Sequence, residues 1–196
     1  MSTDFLSRVY RANSPVQVRS LYDDWAASYE SEISENGYVT PARCAEALLA
    51  AGADPKAPVL DFGCGTGLSG LALRLAGFEM IDGRDLSEGM LAKARDKGVY
   101  RDLAPIGPEG PVPTGYAAIA AIGVVSPGAA PLPVLDRLID ALAPGMRLVS
   151  EVHRAQVVMD AQAEAEPVGA YDPSTRAAKE YAEVADEVWR RIHGEA

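Results

Sequence analysis

The stretch Val59-Leu-Asp-Phe-Gly-Cys-Gly-Thr-Gly67 constrains this chain more than any other. A run suited to a buried strand carries a carboxylate, Asp61, near its end and then places Gly63, Gly65 and Gly67 at alternate positions. Such a turn lets backbone approach a ligand with no Cβ in the way. The helix start that follows offers free N–H groups and a partial positive charge. A ligand site at the end of a first parallel strand is therefore expected.

The flanking pattern agrees. Val59–Phe62 reads as a strand, Leu68–Ala76 as a helix stopped by Gly77, and Met80–Asp85 as a second strand. A helix capped by Ser87 ends at Gly98, and a weak strand follows near Val99–Leu103. A strong strand at Ala117–Val125, a helix at Val134–Leu142 and a last strand in "GMRLVSEV" complete the series. Alternation of this kind predicts an α/β fold with a doubly wound, mostly parallel Rossmann-like sheet. Upstream, Ser14-Pro15 and Thr40-Pro41 signal two helices, the first with Val18, Tyr22, Trp25 and Tyr29 on one face. The expected organisation is one domain: a helical cap over 1–55, an α/β core over 56–153 and a helical extension over 154–196.

Composition excludes some partners. A formal charge of -10 repels phosphate backbones, which argues against nucleic acid. No residue from Gly110 to Leu135 is charged, but five prolines and several glycines interrupt that segment, so it reads as core and not as a membrane span. Cys44 and Cys64 make no disulfide framework, and "MSTDFLSRVYRANS" has no apolar signal core, so a cytoplasmic protein is expected. No cluster of cysteine, histidine and acids has metal-ligand spacing, and no metal is expected.

The glycine loop has two registers. Gly65, Gly67 and Gly70 spell the dinucleotide fingerprint, with Asp85 twenty residues after Gly65. The other register is Asp61-x-Gly63-x-Gly65-x-Gly67. A pyrophosphate is repelled by a nearby carboxylate, whereas S-adenosylmethionine carries an ammonium and a sulfonium and no phosphate. Asp61 therefore favours the methyl donor over NAD. Asp85, at the end of the second strand, suits the hydroxyls of a ribose in either register; its plainer role is to cap a helix beside Ser87.

On these motifs the chain resembles the class I S-adenosylmethionine-dependent methyltransferases. "VLDFGCGTG" is similar to their first motif and "IDGRDLSEGMLAKA" to their second, while "YAAIAAIGVVS" and "LIDALAPGMRLVSEV" resemble their fourth and fifth strands. "LYDDWAASYE" and "NGYVTPA" are similar to the Williams–Beuren-region methyltransferase-like group. The resemblance implies that Gly63, Gly65 and Gly67 wrap the donor's amino-acid portion and that Asp61 orients its ammonium, directly or through water. It implies Asp85 on the ribose, Leu86 and Met90 beside the adenine, and Ile122 and Gly123 under the methyl-transfer cleft. Tyr22 and Tyr29 would close over the donor, whereas Trp25 reads as helix packing.

Three departures stand out. Asp102 fits poorly as the acid such enzymes carry beside the adenine, and "GYAAIA" lacks the acid ahead of the fourth strand. After His153 a helix from about Thr175 to Ile192 replaces the usual final antiparallel strand pair. That helix would cover a sheet edge, cap the cleft or form a homodimer contact.

The expected function is methyl transfer from S-adenosylmethionine to a small-molecule acceptor. An in-line displacement from a sulfonium needs alignment and exclusion of water more than a base. His153 is the weak candidate base for a hydroxyl acceptor, with an ordinary loop histidine as its plainer reading. The alternatives are an NAD(P)-dependent oxidoreductase and a non-catalytic S-adenosylmethionine-binding regulator.

Overall fold

The computed structural model describes Arg8 and residues 14–30, 39–125, 130, 133–141 and 147–152. The chain divides into two compact units, Met1–Glu151 and Val152–Ala196, and the elements below belong to the first, with β5 ending at the boundary. His153 and the expected helix at Thr175–Ile192, with its homodimer role, lie outside the described residues.

Two helices come first. α1 spans Pro15–Trp25 and starts as expected, with the Ser14 side chain accepting from Gln17 N–H. α2 spans Thr40–Ala50, but Thr40 is its first buried residue and no side chain caps it. There Pro41, in the first turn and without an N–H of its own, fixes the start.

The sheet elements follow as β1 (Val59–Phe62), α3 (Leu68–Leu75), β2 (Ile81–Asp85), α4 (Glu88–Asp96), β3 (Asp102–Pro105), β4 (Ala118–Val125), α5 (Pro133–Asp140) and β5 (Arg147–Val152). The strand order is β3-β2-β1-β4-β5, so the winding reverses between β1 and β4. β1 pairs in parallel with both β2 and β4, and β2 with β3. The segment devoid of charge thus supplies a buried interior strand, β4, between β1 and β5.

Strand periodicity sorts the core into two faces. Val59, Ile81, Ala118 and Ala120 pack against Leu48 of α2 and Leu73 of α3. Leu60, Ile119 and Ala121 pack on the opposite face against Val134 and Leu138 of α5. Asp61 lies two residues after Val59 and so faces α3, in register with Gly83 on one side and Ala120 on the other.

β3 begins later than Val99–Leu103 because Val99 is 7% exposed and sits against α3, where Arg74 Nη2 donates to its carbonyl at 2.9 Å. The strand ladder starts only where Arg101 N–H donates to the Ile81 carbonyl.

Candidate functional site

The carboxyl ends of β1, β2 and β4 open on a cavity of about 470 Å³, which falls in the ordinary range for small-ligand pockets. It lies where the strand order reverses, the usual place for a ligand in an open α/β sheet.

The loop after β1 forms one wall. Gly63 and Cys64 N–H both donate to the Arg84 carbonyl, which ties the loop to β2. Gly63 has φ +71, and a Cβ there would lie 2.4 Å from Val124 Cγ2 on β4. Gly67 precedes α3 at φ +91, a conformation that suits glycine, and offers that helix no side-chain cap.

Asp85 ends β2 and joins this loop to the next helix. Its Oδ2 accepts from Gly65 N–H at 2.8 Å and its Oδ1 from Ser87 N–H at 2.8 Å. Burial raises its pKa, against the opposing effect of those N–H groups. The capping arrangement beside Ser87 and the exposure of this carboxylate to the cavity therefore coexist.

α1 reaches the cavity because Asp23 fastens it to α4. Asp23 Oδ1 accepts from Ser87 Oγ at 2.5 Å and from Gly89 N–H at 3.0 Å, at the positive end of α4. Tyr22 and Tyr29 both line the cavity. Trp25 is 3% exposed, stacked on Tyr22 and edge-on to Tyr29, and takes the packing role expected for it.

Nine of the expected residues share this one cavity: Gly63, Gly65, Asp85, Leu86, Met90, Ile122, Gly123, Tyr22 and Tyr29. Gly67 is not part of its lining. Asp61 is placed differently from these residues. It is 0% exposed and absent from the cavity wall, its Oδ2 taken by Ser69 Oγ and Tyr100 Oη at 2.7 Å each. Direct contact with a ligand in the cavity is therefore closed to it, because its place on β1 turns the side chain under α3. His153 lies outside the described residues.

Sequence reasoning missed Arg19, Ile106, Glu109 and Arg137 on the cavity wall. The guanidinium of Arg137 donates to the carbonyls of Pro108 and Gly110 and so holds the loop after β3 in place. Asp102 stands at the opposite, amino end of β3, paired with Arg84 at 2.7 Å. Burial and the neighbouring Asp61 and Asp85 push the Cys64 thiol well up, which keeps it protonated and unsuited to nucleophilic attack.

A family model described as "Methyltransferase domain" matches residues 37–190. The chain belongs to that family. The human methyltransferase-like protein 27 is 35% identical over 123 residues, which cover 60% of this chain and 50% of that protein. The chain thus spans about half the length of this curated relative.

Two solved structures share the fold. A DhpI-SAM-HEP complex gives a TM-score of 0.55 at 20% identity, covering 80% of this chain and 74% of that one. A chain from the complex of the Haloferax volcanii Trm112 methyltransferase activator gives 0.57 at 20% identity, covering 82% and 75%. The sheet is the Rossmann-like sheet of the class I methyltransferases, as the motifs imply.

Among the described residues no helix is long and apolar enough to cross a membrane.

Proposed function

We propose that this chain is an S-adenosylmethionine-dependent methyltransferase acting on a small-molecule acceptor. The observation that carries the reading is the cavity at the sheet's reversal point, with the Asp85 carboxylate anchored by Gly65 and Ser87 N–H and still facing the open space. The lone pairs that the backbone N–H groups leave open suit a ribose hydroxyl. Membership of the methyltransferase-domain family and the human relative support it.

The residues fit that donor. The buried charge of Asp61 lies beneath the loop and suits a cationic ligand through space. Gly63, Gly65 and Gly67 leave the loop backbone open to the donor's amino-acid end. Leu86 and Met90, both in the cavity wall, border the adenine. Ile122 and Gly123 floor the cleft, and Tyr22 and Tyr29 cover it.

When bound, the donor supplies an electrophilic methyl on a positively charged sulfur. The protein orients it, excludes water under α1 and holds the acceptor in line. His153 keeps its place as the candidate base for a hydroxyl acceptor. Cys44 and Cys64 are both buried free thiols, in keeping with a reducing, cytoplasmic setting.

The oxidoreductase register is disfavoured by Gly70. A Cβ at that third glycine would lie 2.3 Å from the Tyr100 ring, so its space serves a tyrosine of this chain.

Calorimetric titration with S-adenosylhomocysteine, NAD and NADP in parallel, on wild type and Asp85→Ala, tests the proposal. Saturable S-adenosylhomocysteine binding that is lost in the variant is the expected result. Preference for a nicotinamide nucleotide would overturn it. Donor binding without transfer to a broad acceptor panel would leave the non-catalytic regulator.

A further inference from the structure

Tyr100 lies between α4 and β3, outside every strand and helix, and it underpins the glycine loop from below. Its hydroxyl donates to Asp61 Oδ2 at 2.7 Å and accepts from Gly70 N–H at 3.1 Å. Ser69 Oγ donates to the same Asp61 oxygen at 2.7 Å. One phenol thus joins the end of β1 to the first turn of α3.

The ring occupies a space that three glycines vacate. A Cβ at Gly67, Gly70 or Gly83 would stand 3.1, 2.3 or 3.0 Å from a Tyr100 atom. Gly83 lies two residues after Ile81 and so shares its face of β2, toward α3. Glycine in a strand interior gives up packing and backbone entropy, and close approach of another group is a common reason for it. Here the approaching groups are Leu103 at 2.5 Å, Cys64 at 2.9 Å and Tyr100 at 3.0 Å.

Asp61 is the unusual member. It is 0% exposed, and among the described residues its Oδ1 has no hydrogen-bond partner. A buried carboxylate with one oxygen unmatched is costly unless the charge has a use. Burial pushes its pKa up to about 6, against the lowering effect of Ser69 and Tyr100. The other titratable groups around it are Cys64, Asp85 and Tyr100 itself. Burial first, and then Asp61, push the Tyr100 phenol far up, so it remains a donor.

We propose that Tyr100 is a positioning residue for the donor: its hydroxyl holds Asp61 and the first turn of α3 in one arrangement, which keeps a buried negative charge under the loop that receives a cationic ligand. The inference rests on the donor reading above. It assigns the loop's charge and geometry to a residue that never touches the ligand.

The test is calorimetry with S-adenosylmethionine from about pH 5 to pH 8 on wild type, Tyr100→Phe, Ser69→Ala and Asp61→Asn, with thermal melts confirming folding. Wild-type affinity is expected to fall as pH drops through about 6, where Asp61 takes up its proton. Tyr100→Phe keeps the ring and removes the bond, so the midpoint should move up and affinity near neutral pH should fall about tenfold. Ser69→Ala should move the midpoint the same way, and Asp61→Asn should flatten the profile. If Tyr100→Phe fails to fold, the Ser69→Ala midpoint decides the matter.

A wild-type midpoint retained in the variants would overturn the inference while leaving the donor reading intact, even if affinity fell evenly at all pH. No binding by wild type would remove the donor reading and this inference with it.

Discussion

Gly65 N–H donates to Asp85 Oδ2 across 2.8 Å, so residues twenty apart in sequence lock the ends of β1 and β2 together at the cavity. The other oxygen accepts from Ser87 N–H, and both bonds require an acceptor. Asp85→Asn turns an NH2 group toward one of the two N–H donors. It should weaken S-adenosylhomocysteine binding nearly as much as Asp85→Ala and cost about 1–3 kcal/mol of stability, read by calorimetry and urea denaturation. Affinity retained in Asp85→Asn would mean that the carboxylate does no more than shape the loop.

Two glycines of the same loop should respond differently to alanine. Gly63→Ala meets Val124 Cγ2 at 2.4 Å and must also hold φ +71, so overpacking and backbone strain combine to about 2–5 kcal/mol. Gly65→Ala, at φ +52 with nothing within 4 Å of the new Cβ, should cost only about 1 kcal/mol. Adding Val124→Ala should restore part of the Gly63→Ala loss and none of the Gly65→Ala loss. Urea midpoints of the four variants check this, and equal losses would place the strain elsewhere.

Asp23 bears on α1 in a similar way. Its carboxylate accepts from Ser87 Oγ and Gly89 N–H at the amino end of α4, and a Cβ at Gly89 would touch the Asp23 backbone at 3.1 Å. Asp23→Ala removes that anchor while Ser87 still caps Met90 N–H. Hydrogen exchange should quicken through Pro15–Trp25 with little change in β1 and β2, and donor affinity should fall several-fold. Unchanged protection in α1 would show that the Trp25 packing suffices to hold it.

Local signals explain why so much of this fold was legible. Val59–Phe62 is the strand that its apolar run implies, and Ser87 caps α4 as its hydroxyl predicts. Gly52, Gly77 and Gly98 end helices at positive φ. The site's lining followed from the carboxyl ends of those strands. What escaped was non-local. Val99 and Tyr100 look like the start of a strand, but Val99 is buried outside the ladder and the Tyr100 side chain packs into the core on the α3 face. Nothing near Tyr100 announces a partner 39 residues away at Asp61. The one available signal was indirect: Gly70 inside a helix, kept small for that ring, and Gly83 inside a strand, kept small for Leu103, Cys64 and the ring together. The neighbours of Asp61 in sequence line the cavity, whereas strand alternation turns its own side chain toward α3.

The same two faces of the sheet give stability a pH optimum on the acid side of neutrality. Asp61 has a folded pKa of about 6, above its ordinary value of 3.8. A raised carboxyl stabilises the fold fully below the unfolded pKa, and that contribution is lost as pH rises through about 6. The ionised, buried form should therefore cost about 3 kcal/mol at neutral pH. Asp82 acts in the opposite sense. Arg101 donates to both its oxygens, at 2.9 and 2.6 Å, and Tyr116 Oη donates at 3.0 Å. The Arg101 bond holds the Asp82 carboxyl below its usual value, over the opposing effect of burial. Its contribution is present above the unfolded pKa and disappears as pH falls through the depressed one. Urea denaturation from about pH 3 to pH 8 should thus show greatest stability near pH 4–5. Asp61→Asn should level the decline between about pH 5 and pH 7, and Asp82→Asn should lower the plateau and weaken the acid limb. Stability that still declined from pH 5 to pH 7 in Asp61→Asn would assign that titration to Asp85, which burial also raises. The charge that Tyr100 and Ser69 hold under the loop therefore works against the fold at neutral pH, as expected where a buried carboxylate is kept for binding and not for stability.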